Sequence, residues 1–465
     1  MLKLDVSRYT DQILSGENGL AYREFRDIPY VEKPVSDIQK LNIFVPLAYF
    51  HDGIVNGYDK DTAPTFMPNT VGGYMPGPRD YPGNKGYPSN SKTIIEALKH
   101  GYVVVSAGLR GRNLKSSDDK NIGKAPAFLV DMKAAIRYVR HNQNLIPGNV
   151  ERIITNGTSA GGATSATIGM SGNAEYFEPY LEKIGAANES DAIYAASCYC
   201  PIHNLENADG AYEWEFNGIN TWYSKVFIRD GKNGEPPVFE DRKGELSVEE
   251  RKLSDELKQQ FIEYVNSLNL KDDSGSNLSL NGDGTGSFLN YVKDFIKQSA
   301  QKALDSGQKL SGSEGIEVES GKVVGVDWIK YLHSITRMKT VPAFDDLDLK
   351  NPEPNLFGDE EIESKHFTKF SQEHSHVTSK VADSTLVEAV NPLTYLSNRG
   401  VDTAKYWRIR HGASDRDTSF AIPVILATAL KNSGYKVDFA MPWGVPHSGD
   451  YDLRDLFTWI DKICG

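Results

Sequence analysis

The sequence predicts an α/β protein, in which a mostly parallel central sheet flanked by helices is interrupted by a large, mainly helical insertion. Three observations lead to this prediction. Short apolar, β-branched segments alternate with amphipathic helical patterns up to residue 202 and again from residue 392. The residues between have long helical patterns and polar, glycine-rich connections. A chain of 465 residues also exceeds the usual size of one core, so we expect more than one domain.

Residues 1–202 are predicted to form the first part of the core. Its strands are short, apolar and rich in β-branched residues, as the buried strands of parallel sheets are. The predicted strands lie at residues 41–47, 102–107, 152–155 and 193–199. After the second strand, Leu129, Met132, Ile136 and Val139 recur at helical spacing, with basic residues on the opposite side. This pattern predicts a helix over residues 126–142.

Residues 203–391 are predicted to form an inserted cap. Ser247 and Glu250 have the spacing of a capping box, in which each side chain accepts a hydrogen bond from the backbone N–H of the other. They predict the start of an amphipathic helix within residues 246–268. The other predicted elements of the cap are a helix at 287–304 and a small hairpin at 316–325 around Ser320 and Gly321.

Residues 392–465 return to the alternation of strands and helices. The predicted elements are a strand at 405–412, a helix at 417–434, a strand at 436–443 and a closing helix at 452–463. Because the same pattern stands on both sides of the cap, we expect one α/β core, formed by residues 1–202 and 392–465, with residues 203–391 inserted into it.

The composition favours a protein that acts on a small molecule. The formal net charge is −12, and the basic residues are scattered, which argues against binding to nucleic acid or an anionic membrane. The longest apolar run, near residues 102–109, is far shorter than a membrane span, and the first residues lack the pattern of a secretory signal. We therefore expect a cytoplasmic protein.

The chain has three cysteines, and two of them, Cys198 and Cys200, stand two positions apart in the segment AIYAASCYCPI. A strand would place both thiols on one face. A metal site would need further ligands nearby, so the favoured interpretation is a pair of reduced core thiols, with metal binding as the alternative. Cys464 lies near the C-terminus.

A serine surrounded by small residues follows the third predicted strand. Residues 157–161 read GTSAG, which matches G-x-S-x-G at a strand-to-helix junction centred on Ser159. A nucleophile at such a tight turn needs neighbours without bulky side chains, and the helix N-terminus offers positive potential to an oxyanion. The alternative is a glycine-rich helix cap that carries an inert serine.

The partners that a catalytic serine requires lie in the last part of the chain. Asp415 follows the strand at 405–412, and His447 follows the next strand, which is the chain order of an α/β-hydrolase triad. His411 lies at a strand end, where a structural role is expected. Asp417 is a rival acid, and it also suits the N-cap of the following helix.

The oxyanion hole would use two backbone N–H groups. One belongs to the residue after the nucleophile, Ala160, and the other to a loop after an early strand. The segment NTVGGYMPG offers Gly73 for the second. The alternative for this segment is a flexible surface turn.

Several longer segments resemble one family. They are GTSAGGATSA, NTVGGY, RGR at 110–112, CPIHNLE, AYEWEFNGIN, RMKTVPAFD, NPEPNLFGD, HGASDRDTSFAIP and PHSGDYDLRDLF. Together they are similar to the bacterial tannases, from about residue 25 to the C-terminus. The resemblance implies an α/β-hydrolase with a large cap that cleaves galloyl esters and depsides of hydrolysable tannins to gallic acid, without a metal or an organic cofactor.

The resemblance also implies the roles of individual residues. Ser159, Asp415 and His447 would form the triad, and Gly73 and Ala160 would donate to the oxyanion. The resemblance further implies that Lys339, Glu353 and Asp417 bind the three ring hydroxyls and that Ile202 and Pro352 flank the ring faces. Three other functions stay open: a feruloyl or general carboxylesterase, a serine peptidase, and a non-catalytic binding module.

Overall fold

The computed structural model describes residues 2–14, 19–229, 238–310 and 314–465. In these residues the strands are β1 (Thr10–Ile13), β2 (Ala21–Pro29), β3 (Lys40–Pro46), β4 (Pro64–Pro68), β5 (Val103–Ala107), β6 (Asn149–Thr158), β7 (Ala195–Tyr199), β8 (Thr221–Arg229), β9 (Val238–Glu245), β10 (Ile316–Glu319), β11 (Lys322–Val326), β12 (Tyr406–Arg410) and β13 (Lys436–Ala440). The α-helices are α1 (Ser91–Lys99), α2 (Ala127–His141), α3 (Ala160–Met170), α4 (Glu178–Ile184), α5 (Leu205–Phe216), α6 (Val248–Ser267), α7 (Ser287–Asp305), α8 (Trp328–Ile335), α9 (Pro352–Leu356), α10 (Lys369–Glu373), α11 (Ser384–Val390), α12 (Ala421–Asn432) and α13 (Leu453–Cys464).

A nine-stranded sheet organises the core, in the order β1-β2-β3-β5-β4-β6-β7-β12-β13. The pairs from β1 to β5 are antiparallel, and the pairs from β5 to β13 are parallel. Strands β4, β5 and β7 are buried along their whole length, because helices pack on the parallel part of the sheet. The predicted α/β class with a mostly parallel sheet is confirmed.

The segment between β7 and β12 leaves the sheet and returns to the neighbouring position. Ala195 pairs with Tyr406 in parallel register, so the two strands that flank this segment are adjacent. The segment contains α5 to α11 and two small antiparallel sheets, β8–β9 and β10–β11. This topology agrees with an insertion into the core, while the domain boundaries at residues 203 and 391 stay predictions.

Most predicted elements form where the sequence patterns lie. The capping box at the start of α6 is present, with Ser247 Oγ accepting from the Glu250 N–H and the Glu250 carboxylate accepting from the Ser247 N–H. Within the nine-stranded sheet, the prediction omitted β1, β2 and β4. Strand β4 is short and has a proline at each end. Proline has no backbone N–H to donate to a neighbouring strand, so this sequence does not suggest a central strand. No helix of the described residues is long and apolar enough to cross a membrane.

One predicted element begins later than expected, and this corrects an interpretation of Asp417. The helix predicted over 417–434 starts at Ala421, with Phe420 as its N-cap, so Asp417 is not the N-cap. Glu215 on α5 accepts the Phe420 N–H at 2.8 Å and the Ser419 hydroxyl at 2.8 Å. A carboxylate from another element therefore supplies the capping acceptor, and the Asp417 side chain is left for other contacts.

Candidate active site

Ser159 stands at a strained turn between β6 and α3. Its φ is 61° and its ψ is −123°. This conformation is energetically unfavourable for any residue other than glycine. The turn closes only because its neighbours are glycines. A Cβ on Gly157 would lie 2.2 Å from the Gly161 carbonyl oxygen, and one on Gly161 would lie 2.5 Å from Asn69 Oδ1. The small residues around Ser159 are therefore a steric requirement of the turn.

Asn69, which directly follows β4, stabilises the serine turn through its side-chain amide. Its Nδ2 donates to the carbonyl of Asn156 at 3.0 Å and to that of Gly161 at 3.1 Å. Its Oδ1 accepts the N–H of Val71 at 3.2 Å. One buried amide thus joins the end of β6, the first turn of α3 and the loop that leads to Gly73. Sequence reasoning did not identify this residue, although it begins the NTVGGY segment.

The three predicted triad residues are hydrogen-bonded in a chain. The distance from Ser159 Oγ to His447 Nε2 is 2.8 Å, and the distance from His447 Nδ1 to Asp415 Oδ2 is also 2.8 Å. Asp415 is fully buried, whereas the His447 ring keeps about a fifth of its surface exposed. The arrangement suits a neutral imidazole that donates from Nδ1 to the carboxylate and accepts the serine proton at Nε2.

The electrostatic surroundings stabilise a positive charge on His447. Burial opposes the charged form of the imidazole, but Asp415 and Asp417 raise the pKa of His447 well above its usual value. Burial also opposes the charged form of Asp415, but the neighbouring His447 and His411 lower the pKa of that carboxyl. Because each group favours the charge of the other, the pair can hold the imidazolium that forms when the serine attacks.

A thiol and a second imidazole also lie beside the triad. Cys200 Sγ is 3.9 Å from His447 Nε2 and donates to the carbonyl of Ser448 at 3.4 Å. Cys200 follows the end of β7 and has a φ of 34°. The prediction that it shares a strand face with Cys198 is therefore wrong. The His411 ring is buried, with Nδ1 3.7 Å from Asp415 Oδ2, beyond hydrogen-bonding distance.

The free thiols bear on the two interpretations of the cysteine pair. Cys198, Cys200 and Cys464 are all buried and none forms a disulfide. Ligand atoms of Cys200, Asp415 and His447 lie within 4.8 Å of one another, and Cys198 is not in this group. Two of the three residues in this group are already hydrogen-bonded in the triad, so a metal ion there would compete with the serine for His447.

The loop that contains Gly73 lies against the first turn of α3. Gly73 and Tyr74 both have positive φ values, 53° and 57°. Arg112 holds this conformation, because its Nε donates to the Gly73 carbonyl at 2.9 Å and its backbone N–H donates to the Tyr74 carbonyl at 2.8 Å. The N–H of Ala160, at the first position of α3, has no partner within the helix. Gly73 and Ala160 therefore stay the predicted oxyanion donors.

Lys339 and Asp417 form an ion pair across the boundary between the inserted segment and the core. Lys339 Nζ is 2.8 Å from Asp417 Oδ1 and lies 3.8 Å from the centroid of the Phe344 ring. The Asp417 N–H donates to Asp415 Oδ1 at 2.8 Å, which ties the pair to the triad. Burial opposes the charge of Asp417, but Lys339 and His447 lower the pKa of its carboxyl to about 2.

Glu353, on the short helix α9, completes the predicted ring-binding group. Its side chain is buried, and this burial raises its pKa to about 7 despite the opposing influence of Lys339. Asp417 raises the pKa further, and Arg112 lowers it, so all of these charges lie near one another. Arg112 Nη1 also donates to Asn355 Oδ1 on the same helix at 3.3 Å.

The two residues predicted to flank the ring are placed by neighbouring elements. The Ile202 N–H donates to the Ser159 carbonyl at 3.2 Å, and the Ile202 carbonyl accepts from the Tyr74 hydroxyl at 2.6 Å. Ile202 therefore lies between the serine turn and the Gly73 loop. Pro352 is the first residue of α9 and directly precedes Glu353. The structure thus brings all ten predicted site residues into one region, at the carboxyl ends of the parallel strands.

Proteins of known structure resemble this chain over its full length. A tannase from Lactobacillus plantarum is 53% identical, with a TM-score of 0.98 over 100% of both chains. A tannin acyl hydrolase in complex with ethyl gallate is also 53% identical, with a TM-score of 0.95 over 100% of this chain and 99% of that one.

Two shorter matches concern less of the chain. The family model BD-FAE matches residues 78–215, a segment that contains Ser159 and the strand before it. Esterase LipQ of Mycobacterium tuberculosis is 33% identical over 88 residues, which are 19% of this chain and 20% of that esterase. These partial matches are consistent with a hydrolase core, and the full-length similarity includes the inserted segment.

Proposed function

The chain belongs to the bacterial tannases, and we propose that this galloyl ester hydrolase uses Ser159 as its nucleophile, His447 as general base and Asp415 to orient the imidazole. The observation that carries the assignment is the hydrogen-bonded chain from Ser159 Oγ through His447 to Asp415. No other serine of the described residues has this chain of partners and also stands at a strained strand-to-helix turn.

The acylation step follows from these contacts. His447 Nε2 takes the hydroxyl proton as Ser159 Oγ attacks the galloyl carbonyl carbon. The N–H groups of Gly73 and Ala160 donate to the oxygen that becomes negative, and the N-terminus of α3 adds positive potential there. His447 then gives its proton to the departing alkoxide, and the alcohol leaves a galloyl ester on Ser159.

Deacylation repeats the same proton transfers with water. His447 Nε2 removes a proton from the water as its oxygen attacks the acyl carbon. The second tetrahedral intermediate uses the same two N–H donors, and its collapse returns the proton to Ser159 Oγ. Gallate leaves, and the triad is restored. Asp415 stays ionised throughout, because its role is to hold the imidazole and offset its charge.

Recognition of the three ring hydroxyls is proposed for Lys339, Glu353 and Asp417. Carboxylates accept phenolic O–H groups, and an ammonium donates to a phenolic oxygen, so two anions and one cation suit a trihydroxylated ring. Each hydroxyl needs a partner once it is buried, because an unsatisfied polar group costs about 1–3 kcal/mol. Ile202 and Pro352 would cover the two ring faces, which a planar aromatic group requires.

The test of the nucleophile is Ser159→Ala, which deletes one oxygen from a turn of small residues. We expect a folded protein without turnover of methyl gallate, measured by the release of gallic acid. Activity near that of the unmodified protein would refute the assignment of Ser159.

The test of ring recognition compares methyl gallate with p-nitrophenyl acetate, whose acyl group has no ring. Lys339→Met, Glu353→Gln and Asp417→Asn should each lower kcat/KM for methyl gallate by about tenfold or more, since each removes a buried hydrogen bond. Hydrolysis of the acetate should change much less for Lys339→Met and Glu353→Gln. For Asp417→Asn it should fall only by the effect of the charge lost next to His447, and the gallate-to-acetate ratio should still decrease. An equal loss on both substrates would mean that these residues support the fold and do not bind the ring hydroxyls. The protein would then act as a general carboxylesterase.

A further inference from the structure

Tyr212 lies where the two elements that bear Lys339 and Asp417 meet. It is on α5, the helix that follows β7, and its side chain is fully buried. Its ring packs against Phe216, with centroids 4.7 Å apart, and edge-on against Phe344, with centroids 6.3 Å apart. The same Phe344 ring contacts the ammonium of Lys339.

The Tyr212 hydroxyl makes three hydrogen bonds, all to backbone groups. It accepts the N–H of Met338 at 3.0 Å and the N–H of Lys339 at 3.2 Å. It donates to the carbonyl of Arg416 at 3.0 Å. A phenolic hydroxyl has one proton and two acceptor positions, so these bonds use its full capacity.

These bonds hold the peptide groups next to both members of the ion pair. The Arg416 carbonyl belongs to the peptide unit whose N–H is that of Asp417, and this N–H donates to Asp415. On the other side, the Lys339 carbonyl accepts from Arg337 Nε at 2.9 Å. Hydrogen bonds therefore fix the backbone at both residues, and their side chains form the ion pair between Lys339 Nζ and Asp417 Oδ1 at 2.8 Å.

We propose that Tyr212 is a specificity-determining positioning residue, whose hydroxyl keeps Lys339 and Asp417 in the register needed to bind adjacent ring hydroxyls. This inference rests on the proposed ring recognition by that pair. Tyr212 acts through the two residues and does not itself contact the ester. Loss of its hydroxyl frees one carbonyl and two N–H groups, so the loop carrying Asp417 and the segment carrying Lys339 can shift relative to each other.

The experiment uses Tyr212→Phe, which keeps the ring and removes only the hydroxyl. We expect kcat/KM for methyl gallate to fall by about tenfold or more, mainly through KM, while kcat/KM for p-nitrophenyl acetate changes by less than about threefold. The matched control is Tyr395→Phe, which removes a buried hydroxyl that donates to the Ala389 carbonyl at 2.9 Å. The control should leave the ratio of the two activities unchanged.

Two further measurements separate a positioning role from a structural one. Circular dichroism and Tm establish that both tyrosine variants are folded at the assay temperature. In a double-mutant cycle, Tyr212→Phe should cost less in methyl gallate activity when Lys339 is already methionine than in the unmodified protein, because the ammonium that the hydroxyl positions is then absent.

Three results would overturn the proposal or its premise, and each is distinct. An equal loss on gallate and acetate would make Tyr212 structural. An unchanged gallate activity would make its hydroxyl dispensable. If Lys339→Met and Asp417→Asn leave the gallate-to-acetate ratio unchanged, ring recognition itself fails, whatever Tyr212→Phe does.

Discussion

Replacement of Arg112 by methionine should weaken the oxyanion hole without touching the triad. The guanidinium Nε donates to the Gly73 carbonyl, and the methionine side chain fills part of the same space without a donor. Gly73 would then lose the contact that holds its peptide group at a positive φ, next to the N–H assigned to the oxyanion. The N–H would still be present, but its direction would no longer be fixed.

The structure sets the size of the expected effect. A hydrogen bond from a charged donor contributes about 1.5–3 kcal/mol, and Arg112 is partly exposed, so we take the lower end, about 1.5 kcal/mol. At about 1.4 kcal/mol for each factor of ten, kcat should fall about tenfold. Removal of an oxyanion donor itself costs about 100-fold to 1000-fold, and a displaced donor should cost less than a missing one.

The assay is kcat on methyl gallate and on p-nitrophenyl acetate, because both acyl transfers need the oxyanion hole. We expect similar losses of kcat on both substrates. KM for methyl gallate should be nearly unchanged when it is measured at pH 8.5, because Arg112 also lowers the pKa of Glu353 and its removal would leave less of the Glu353 carboxylate near pH 7. Asn355→Ala is the matched control, since it removes the Arg112 contact on α9 and leaves the Gly73 contact in place. A loss confined to methyl gallate would refute the reasoning and would place Arg112 in ring recognition instead.

Two predictions concern pH. Burial raises the pKa of Glu353 to about 7, so KM for methyl gallate should fall as the pH rises through 7 and the carboxylate forms. Glu353→Gln should abolish this dependence. Initial rates measured from pH 5.5 to 8.5 test both statements. Burial raises the pKa of Glu215 to about 8, so the folded state keeps this proton where the unfolded chain loses it, and stability declines as the pH rises from about 5 to about 8. The Tm difference between Glu215→Gln and the unmodified protein should therefore grow in favour of the variant across that range, and a constant difference would contradict the raised pKa.

The core, and the meeting of Ser159, His447 and Asp415, could be predicted because both depend on short-range patterns. The serine turn needs glycines next to Ser159, and Asp415 and His447 need only to follow the strands that end beside it. Parallel strands bring their carboxyl ends to one edge, so the chain order of these residues also predicts that they meet. The α6 capping box is likewise complete within four consecutive residues.

The proposed ring-binding residues could not be located from patterns, because the role we propose for them depends on contacts between distant segments. Lys339 and Glu353 lie in irregular or short elements with no periodicity, and by composition they are ordinary surface charges. The resemblance to tannases was needed to single them out. Cys200 was assigned to a strand face for a similar reason, since a sequence does not reveal that β7 ends one residue before it.

Helix α5 explains how the inserted segment and the core reach a common geometry. Asp209 accepts the N–H of Phe344 at 2.7 Å, and Glu213 pairs with Arg337 at 2.6 Å. Phe344 contacts the Lys339 ammonium, and Arg337 binds the Lys339 carbonyl. The carboxylates of α5 therefore hold the Lys339 segment from both sides.

Such carboxylates are costly to bury, and this cost argues that they serve the site. Burial raises the pKa of Asp209 to about 8, as it does for Glu215, so the charged form of each carboxyl group is unfavourable at neutral pH. An apolar core at these positions would avoid that cost, but it would leave the backbone donors of the Lys339 and Asp417 segments without acceptors. We infer that α5 lowers stability but holds the proposed ring-binding pair, Lys339 and Asp417, in place before substrate arrives, so that little ordering is left for binding.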